Sequence, residues 1–230
     1  MNQEEDKLSL NAEVYQKIKE DIVTLQLFPG QLLMVQQLAK ELNVSRTPVR
    51  EAMVTLKNEG FVHDADGRKF KVSEITWESM SNIYQARCVI ECFAARIAAL
   101  DSQKNPSILI PVRNNLQRME TCHANQDYIG YFTADGDFHN EIVKIVNNQI
   151  LGNWLNNIHD MQLRIRYLTT GFSAQLETSL AEHTDIMVAL SAGDAVTAEA
   201  SMAAHLERAK TSIMKLRDQK IVSLPQTIIR

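Results

Sequence analysis

Four side chains in the second half of the chain have the types and spacing of a metal site. Asp135 and His139 are four residues apart in the helical segment TADGDFHNEIVKIV, so both project from the same helix face. His183 and His205 lie on two further helical segments, at similar distances from a turn at Gly193-Asp194. Antiparallel packing of those two helices would bring the two histidines level with each other.

One carboxylate and three neutral imidazoles form a nitrogen-rich donor set, which suits zinc, nickel or another divalent transition metal. Water or a ligand carboxylate would complete five or six coordination. Two alternatives stay open. Asp137 would replace Asp135 if the helix register differed, and a single histidine on an amphipathic helix is often only a hydrogen-bonded core residue. We assign that structural role to His63, His123 and His159.

A second set of polar side chains begins a predicted helix in the first third of the chain, in the segment SRTPVRE. Arg46 and Arg50 are four apart on one face, and each guanidinium can grip guanine O6 and N7 or a phosphate. Ser45 and Thr47 can hydrogen-bond phosphates beside the positive end of the helix dipole. The alternative is that both arginines are ordinary surface residues in salt bridges to Glu51 and nearby acids.

The periodicity of apolar residues predicts three helices in this region. The first covers residues 12–26, with Val14, Ile18, Ile22 and Leu25 on one face. The second starts at Val35 and stops at Asn43, which tolerates a left-handed backbone. The third follows the N-cap Ser45, has Pro48 in its first turn, buries Val49, Met53 and Leu56, and ends at Gly60.

Two extended runs, FVHD and FKVS, follow the third helix and predict a hairpin with Asp66-Gly67 at its turn. The hairpin carries Arg68, Lys69 and Lys71, a basic cluster suited to a neighbouring DNA groove or backbone. Three helices followed by a hairpin, within about 75 residues, are the order of a winged helix-turn-helix.

The pattern is helical from Trp77 onward, and its breaks predict about six helices and no strand. The breaks lie at Asn105-Pro106, residues 125–127, Asn147-Asn148, Thr170-Gly171 and Gly193-Asp194. We therefore expect a mainly α-helical protein with two domains. A winged helix-turn-helix over residues 1–75 precedes a helical domain over residues 76–230, which carries the candidate metal-binding residues.

The overall composition argues against export and disulfide bonding. The net charge is -4, so any basic DNA-binding surface must be local. Three cysteines without CxxC spacing suggest reduced thiols, and Cys88 and Cys92 read as core residues rather than a redox switch. The acidic start MNQEEDKLSL is unlike a signal peptide, and no stretch reaches about 18 apolar residues. We expect a cytoplasmic protein without membrane contact.

The segment from Val14 to Val72 resembles the DNA-binding domain of the GntR family of transcription regulators. The resemblance rests on PGQLL, QQLAKELNVSRTPVREAM, the EGFV that follows and the wing GRKFKV. It implies that Arg46, Arg50 and Gly67 contact operator DNA. It also implies a homodimer on a pseudo-palindromic operator, because two-fold protein symmetry matches two half-sites.

Residues 78–217 resemble the FCD sensor domain of the FadR subgroup, through IYQARCVIECFAARIAA, DGDFHNEIV, EHTDIMVAL and GDAVTAEASMAAHL. The resemblance implies a metal bound by Asp135, His139, His183 and His205. It further implies a small organic acid as effector, with repression released by the ligand as the commoner behaviour.

The effector site has three arginine candidates. Arg87 lies on the opening helix of the second domain, and an arginine facing a bundle interior needs an anion or a paired acid. A structural bridge to Glu91, four residues along, is an equal alternative. Arg164 and Arg166 flank the apolar face of a later helix, and periodicity does not choose between them.

Two other functions compete with the ligand-responsive regulator. The first is a metal-dependent hydrolase of a small carboxylate or amide. Glu182 is an available acid for it, but it should point about 100° away from its neighbour His183 on the helix. The second is a winged helix that binds protein instead of DNA.

Overall fold

The computed structural model describes residues 3–65, 69–169 and 176–218. Its helices and strands fall into two units that divide between Ile75 and Thr76. The described part of the first unit combines helices with one three-stranded antiparallel sheet, and that of the second is helical. This mainly α-helical architecture confirms the fold class expected from the sequence.

The first unit has the element order of a winged helix-turn-helix. Its elements are α1 (Gln3–Val23), β1 (Leu32–Met34), α2 (Val35–Glu41), α3 (Arg46–Asn58), β2 (Val62–Ala65) and β3 (Lys69–Val72). α1 packs against α3, and Val14, Ile18 and Ile22 on α1 are buried as predicted. The predicted end at residue 26 was wrong: α1 ends at Val23, and Leu25 lies beyond it with a φ of 62°.

Two residues with positive φ end the next two helices. Asn43, with a φ of 55°, follows α2, and Gly60, with a φ of 83°, follows α3. The left-handed conformation suits both residue types, so the chain turns sharply at each point. Between these turns, Val49, Met53 and Leu56 on α3 are fully buried, which confirms the predicted core face.

The sheet contains one strand more than the hairpin predicted from the sequence. β3 is central: it pairs with β2 on one side and with β1 on the other. In β1 only Leu33 is buried, between the exposed Leu32 and Met34. A segment of three residues with one buried side chain is too short for the alternation of apolar and polar residues to indicate a strand. The sheet therefore holds β3 beside β1, the strand that leads directly into α2.

The second unit contains six α-helices among the described residues, as predicted. They are α4 (Trp77–Ser102), α5 (Ile110–Ala124), α6 (Tyr128–Ile145), α7 (Gln149–Thr169), α8 (Leu176–Ala192) and α9 (Ala195–Asp218), with a short 3-10 helix over Pro106–Leu109. Side chains fix several starts: Thr76 and Ser79 form a capping box on α4, and Asp127 caps α6. The predicted break at Thr170-Gly171 lies outside the described residues.

Small side chains bring the central helices of this unit together. α4 packs along α9, and its Ala94, Ala95, Ala98 and Ala99 are all fully buried. Alanines at an interface let two helix backbones approach closely, so α4, α6, α8 and α9 enclose a common interior. Among the described residues, no helix is both long and apolar enough to span a bilayer.

Candidate metal centre and nucleic-acid interface

Four side chains from three helices of the second unit converge on one point. α6 supplies Asp135 and His139, α8 supplies His183 and α9 supplies His205, and one ligand atom of each lies within 4.8 Å of all the others. His183 Nε2 is 3.2 Å from His139 Nε2 and 3.1 Å from Asp135 Oδ1. All four residues are buried. The helix spacing and the helical hairpin thus bring together the set inferred from the sequence.

The structure separates the two carboxylates that the sequence left as alternatives. Asp135 faces the cluster, whereas Asp137 is half exposed and pairs with Arg118 at 2.8 Å. The register of α6 therefore turns Asp135 inward together with His139, one helical turn away.

The outer nitrogens of two of the histidines are held by acceptors. His183 Nδ1 lies 2.7 Å from the Ser179 carbonyl oxygen, and His205 Nδ1 lies 2.8 Å from Glu182 Oε2. Each acceptor takes the Nδ1 proton, so the lone pair of each ring is left on Nε2. Anchoring of this kind orients metal-binding imidazoles in proteins.

A series of contacts between buried polar side chains connects α4 with the third histidine, His139. His139 Nδ1 is 2.5 Å from Glu91 Oε2, although the N–H direction is not aligned for a regular hydrogen bond. Arg87 donates to Glu91 at 2.5 Å and 3.2 Å and to Gln162 Oε1 at 2.7 Å, and Gln162 donates to Tyr84 at 3.2 Å. Each guanidinium nitrogen of Arg87 thus has a partner, which is the structural bridge to Glu91 that the sequence allowed.

The electrostatics of the cluster match a cation with neutral nitrogen ligands. Burial lowers the pKa of His139 to about 4 and that of His205 to about 3, so both rings are uncharged at pH 7. Burial acts to raise the pKa of Asp135, but its contact with His183 and the positive charge of Arg87 hold that pKa well below its usual range. One ionised carboxylate and convergent imidazole nitrogens fit a divalent transition metal.

A cavity of about 130 Å³ adjoins the cluster between α6 and α7. Its lining includes Asp135, Asn140, His159, Gln162 and Arg166. The Arg166 guanidinium lies 4.5 Å above the ring of Phe132. Arg164 is buried on the same helix but is not among the described residues that line the cavity. The structure thus distinguishes two arginines that periodicity did not.

The remaining histidines and the neighbouring thiols of Cys88 and Cys92 lie outside the cluster. His63 is exposed on β2, and the ring of His123 contacts that of Tyr131. Cys88 and Cys92 have their sulfurs 3.7 Å apart, and burial raises the pKa of Cys92 to about 12. The Cys92 thiol therefore stays protonated at neutral pH and has low nucleophilicity.

The N-terminal end of α3 presents four polar side chains to solvent. Ser45, Arg46, Thr47 and Arg50 are all exposed. Ser45 holds the N-cap position, but its hydroxyl makes no capping hydrogen bond. Among the described residues, neither Arg46 nor Arg50 forms an ion pair, so the salt bridge to Glu51 considered from the sequence does not form.

An open groove of about 590 Å³ connects this helix end with the sheet. Its lining includes Arg46, Thr47 and Arg50 from α3 and Lys69 from β3. Lys71, which the sequence grouped with Lys69, pairs instead with Glu74 at 3.0 Å. The predicted DNA contacts Gly67 and Arg68 lie outside the described residues. The described basic groups thus combine a helix N-terminus with a strand of the wing, as in winged helices that bind DNA.

Sequence reasoning missed the residues that support the candidate metal-binding cluster. Ser179 acts through its backbone carbonyl, which carries no sequence signal. The sequence suggested Glu182 only as an acid for hydrolysis. Its side chain points about 100° away from that of His183 around α8, and in that direction it meets His205 on α9. Gln162 lies 75 residues from Arg87, so only the tertiary fold shows their contact.

Comparison with known proteins supports both units. Residues 10–72 match the model of bacterial regulatory proteins of the gntR family, and residues 82–208 match that of the FCD domain. The HTH-type transcriptional repressor RspR of Escherichia coli (strain K12) is 28% identical over 210 residues, covering 91% of each chain. The HTH-type transcriptional regulator YdhC of Bacillus subtilis (strain 168) is 26% identical over 191 residues, covering 83% of this chain and 85% of that protein.

Solved structures show the same fold. That of E. coli McbR/YncC has a TM-score of 0.76 at 22% identity and covers 92% of this chain and 98% of its own. A GntR regulator structure from Rhodococcus sp. RHA1 has a TM-score of 0.74 at 24% identity, with coverage of 90% and 98%. With a winged helix-turn-helix and an FCD domain in this order, the chain belongs to the GntR family of bacterial transcription regulators, in its FadR-like subgroup.

Proposed function

We propose that the protein is a ligand-responsive repressor whose second unit binds a divalent metal and a small carboxylate effector. The observation that carries this proposal is the buried cluster of Asp135, His139, His183 and His205, whose ligand atoms converge beside a cavity. The cluster belongs to a chain whose other unit is a winged helix-turn-helix. A sensor and a DNA-binding module on one chain fit regulation better than catalysis.

DNA binding is proposed to depend on the exposed end of α3. Arg46 and Arg50 would reach base edges or phosphates in the major groove, while Ser45 and Thr47 would hydrogen-bond the backbone. Lys69 would contact the backbone from the wing. Both arginines lack an ion-pair partner among the described residues, so their charges are available to a phosphate or a guanine.

The metal would be zinc or nickel, held by Asp135 and by the Nε2 atoms of His139, His183 and His205. When bound, the ion supplies a positive charge that attracts an anionic group into the adjoining cavity. Arg166 adds a second positive charge to the lining. A carboxylate is the simplest anion that fits both charges in a cavity of about 130 Å³.

The arginines named from the sequence take different places in this proposal. Arg87 is bonded to Glu91 and Gln162, and Gln162 lines the cavity, so Arg87 would respond to effector through Gln162 rather than by direct contact. Arg164 stays a sequence prediction, since it does not line the cavity. Arg166 replaces it as the proposed contact.

Ligand response requires that the effector bind two arrangements of the protein unequally. The chain of contacts from Gln162 through Arg87 and Glu91 ends at His139, so effector and metal share one buried network. That network includes α4, which follows directly on the DNA-binding unit in the chain. Repression is favoured because RspR, a relative over most of the chain, is named a repressor.

We also propose a homodimer that buries an exposed apolar strip on α4 and α9. The strip comprises Val89, Phe93, Leu100 and Val196, all at least 43% exposed. Arg96 on α4 and Glu199 on α9 lie beside it and pair at 3.3 Å. A two-fold interface repeats the same patch on both copies, so an apolar strip flanked by both charges is self-complementary. The second copy would place a second recognition helix on the other half-site.

The test is selection of genomic fragments by the purified full-length protein, followed by a footprint on the most enriched fragment and metal analysis of the same sample. A protected site with two-fold symmetry and about one metal ion per chain is the expected result. Absence of any enriched fragment, with the metal still present, would exclude the regulator and favour the hydrolase. Relief of protection by a small carboxylate would identify the effector class.

A further inference from the structure

Cys88 and Cys92 place two thiol groups side by side on α4, outside the histidine cluster. Both cysteines are free, and their sulfurs are 3.7 Å apart. Cys92 is buried and Cys88 is partly exposed, so a small ion reaches the pair from the Cys88 side. Around the helix, Arg96 lies between this pair and the apolar residues Val89 and Phe93. The pair therefore borders the proposed dimer interface without belonging to it.

The helix opposes the simplest reaction of two neighbouring thiols, which is oxidation to a disulfide. Residues four apart on an α-helix hold their Cβ atoms ~5–6 Å from each other, whereas a disulfide requires ~3.5–4.5 Å. The sulfurs of Cys88 and Cys92 would also have to approach from 3.7 Å to about 2 Å. Because α4 is one continuous helix over Trp77–Ser102 and packs along α9, its backbone is held at the wider spacing.

A single atom bonded to both sulfurs fits the spacing that a disulfide does not. Two metal–sulfur bonds of ~2.3 Å at the tetrahedral angle place the sulfurs about 3.8 Å apart. The same two bonds in a straight line would need a separation of about 4.6 Å. The observed 3.7 Å between Cys88 and Cys92 is therefore the length of one edge of a tetrahedral thiolate site.

The charges around the pair favour a cation as that bridging atom. Burial raises the pKa of Cys92 to about 12, and the hydrogen bond with Cys88 and the negative charges of Glu91 and Glu199 add to the effect. A negative potential that opposes the thiolate also attracts a positive ion. Two thiolates and a divalent ion make a neutral centre, which suits a partly buried position.

We infer that Cys88 and Cys92 form a second ion site, which binds a thiophilic divalent ion of the zinc type as a two-thiolate chelate. As each metal–sulfur bond forms, the thiol proton passes to water, so two protons leave for each ion bound and neither sulfur is oxidised. Thiolate ligands select zinc and softer ions over magnesium and calcium. Only two side chains hold the ion here, against four in the histidine cluster, so the cluster fills first and the dithiol binds ion in excess.

The experiment titrates the reduced full-length protein, already loaded with one equivalent of Zn²⁺, with Cd²⁺. Cadmium bound to thiolate absorbs in the ultraviolet through sulfur-to-metal charge transfer, whereas cadmium bound to imidazole or carboxylate does not, so the band reports cysteine ligands alone. We expect a band that saturates at one Cd²⁺ per chain, with the release of two protons. Cys88→Ser and Cys92→Ala each remove one arm of the chelate and should weaken Cd²⁺ binding by at least about 100-fold.

Cys122→Ser is the matched control, because Cys122 is a free and partly exposed cysteine on α5. It should leave the band unchanged, and melting temperature and zinc content confirm that each variant is folded with the histidine cluster loaded. Absence of the band in the wild type, its persistence in Cys88→Ser or Cys92→Ala, or its loss in Cys122→Ser overturns the inference. A disulfide between Cys88 and Cys92 after peroxide treatment, found by peptide mass mapping, would contradict the geometric argument and assign the pair to redox chemistry instead.

Discussion

The Glu182 carboxylate accepts a hydrogen bond from His205 Nδ1 at 2.8 Å and one from Arg208. Burial acts to raise the pKa of Glu182, but the hydrogen bonds from His205 and Arg208 lower it, so the group is ionised at neutral pH. The acid suggested for a hydrolase is thus engaged in orienting His205, a candidate metal ligand. This arrangement favours a binding role for the cluster over hydrolysis.

Loss of Glu182 should therefore weaken metal binding. In Glu182→Ala, His205 Nδ1 has no acceptor to fix its ring, and we expect the affinity for Zn²⁺ to fall by about 10–100-fold. Competition with a chromophoric chelator measures this change. Glu177→Ala removes an exposed carboxylate from the same helix and serves as the control. Equal affinity of Glu182→Ala and the wild type would mean that the contact does not support the metal.

DNA recognition should depend on Arg50 in a way that other exposed arginines do not share. Arg50→Ala removes a guanidinium from the groove beside α3, and a lost bidentate base contact costs about 1–3 kcal/mol of operator affinity. Arg113→Ala, on an exposed face of α5, is the matched control and should leave binding unchanged. Fluorescence anisotropy with the selected operator measures both variants. Operator affinity that survives Arg50→Ala intact would exclude the proposed role.

The metal-free protein should lose stability on acidification. Burial lowers the pKa of His139 from 6.5 to about 4 and that of His205 to about 3, so both rings take up protons only on unfolding as pH falls below 6.5. The unfolded state then binds more protons, and stability falls by at most about 1.4 kcal/mol per histidine for each pH unit down to the folded pKa.

Scanning calorimetry of chelator-treated protein at pH 7 and pH 5 measures this acid effect on the second unit. We expect a lower melting temperature at pH 5, and a smaller difference in His205→Gln, which removes one of the two groups. His63→Gln changes an exposed histidine of the first unit and should leave the difference unaltered. A melting temperature that is the same at both pH values would contradict the burial of neutral imidazoles.

The sequence predicted those features that depend on local spacing. Asp135 and His139 share a face because they are four residues apart, and the turn at Gly193 aligns His183 with His205. The spacing of four residues also allowed a salt bridge between Arg87 and Glu91. It did not show whether Arg87 forms this bridge or contacts an effector instead. That choice depends on tertiary contacts.

Contacts between distant segments account for what the sequence did not predict. β1 has only three residues and is defined by its pairing with β3, in which Leu33 lies opposite Phe70. His159 was expected to be an ordinary structural histidine, since its isolation in sequence gives no sign of the cavity. Its placement follows from the packing of α6 against α7, which brings Gly136 next to its ring.

Dimer formation should depend on the apolar strip of α4 and α9. Val89 is the most exposed residue of the strip, at 76%, so Val89→Asp should leave the folded monomer intact while adding two like charges, one per copy, to a two-fold interface. Val188→Asp is the matched control, because Val188 is 62% exposed on α8, which contributes no residue to the strip. Sedimentation velocity should show a monomer for Val89→Asp and a dimer for Val188→Asp. Binding to a single half-site should change little in Val89→Asp, whereas cooperative binding to the full operator should be lost. The reverse pattern, with Val188→Asp dissociating and Val89→Asp remaining dimeric, would assign the interface to α8.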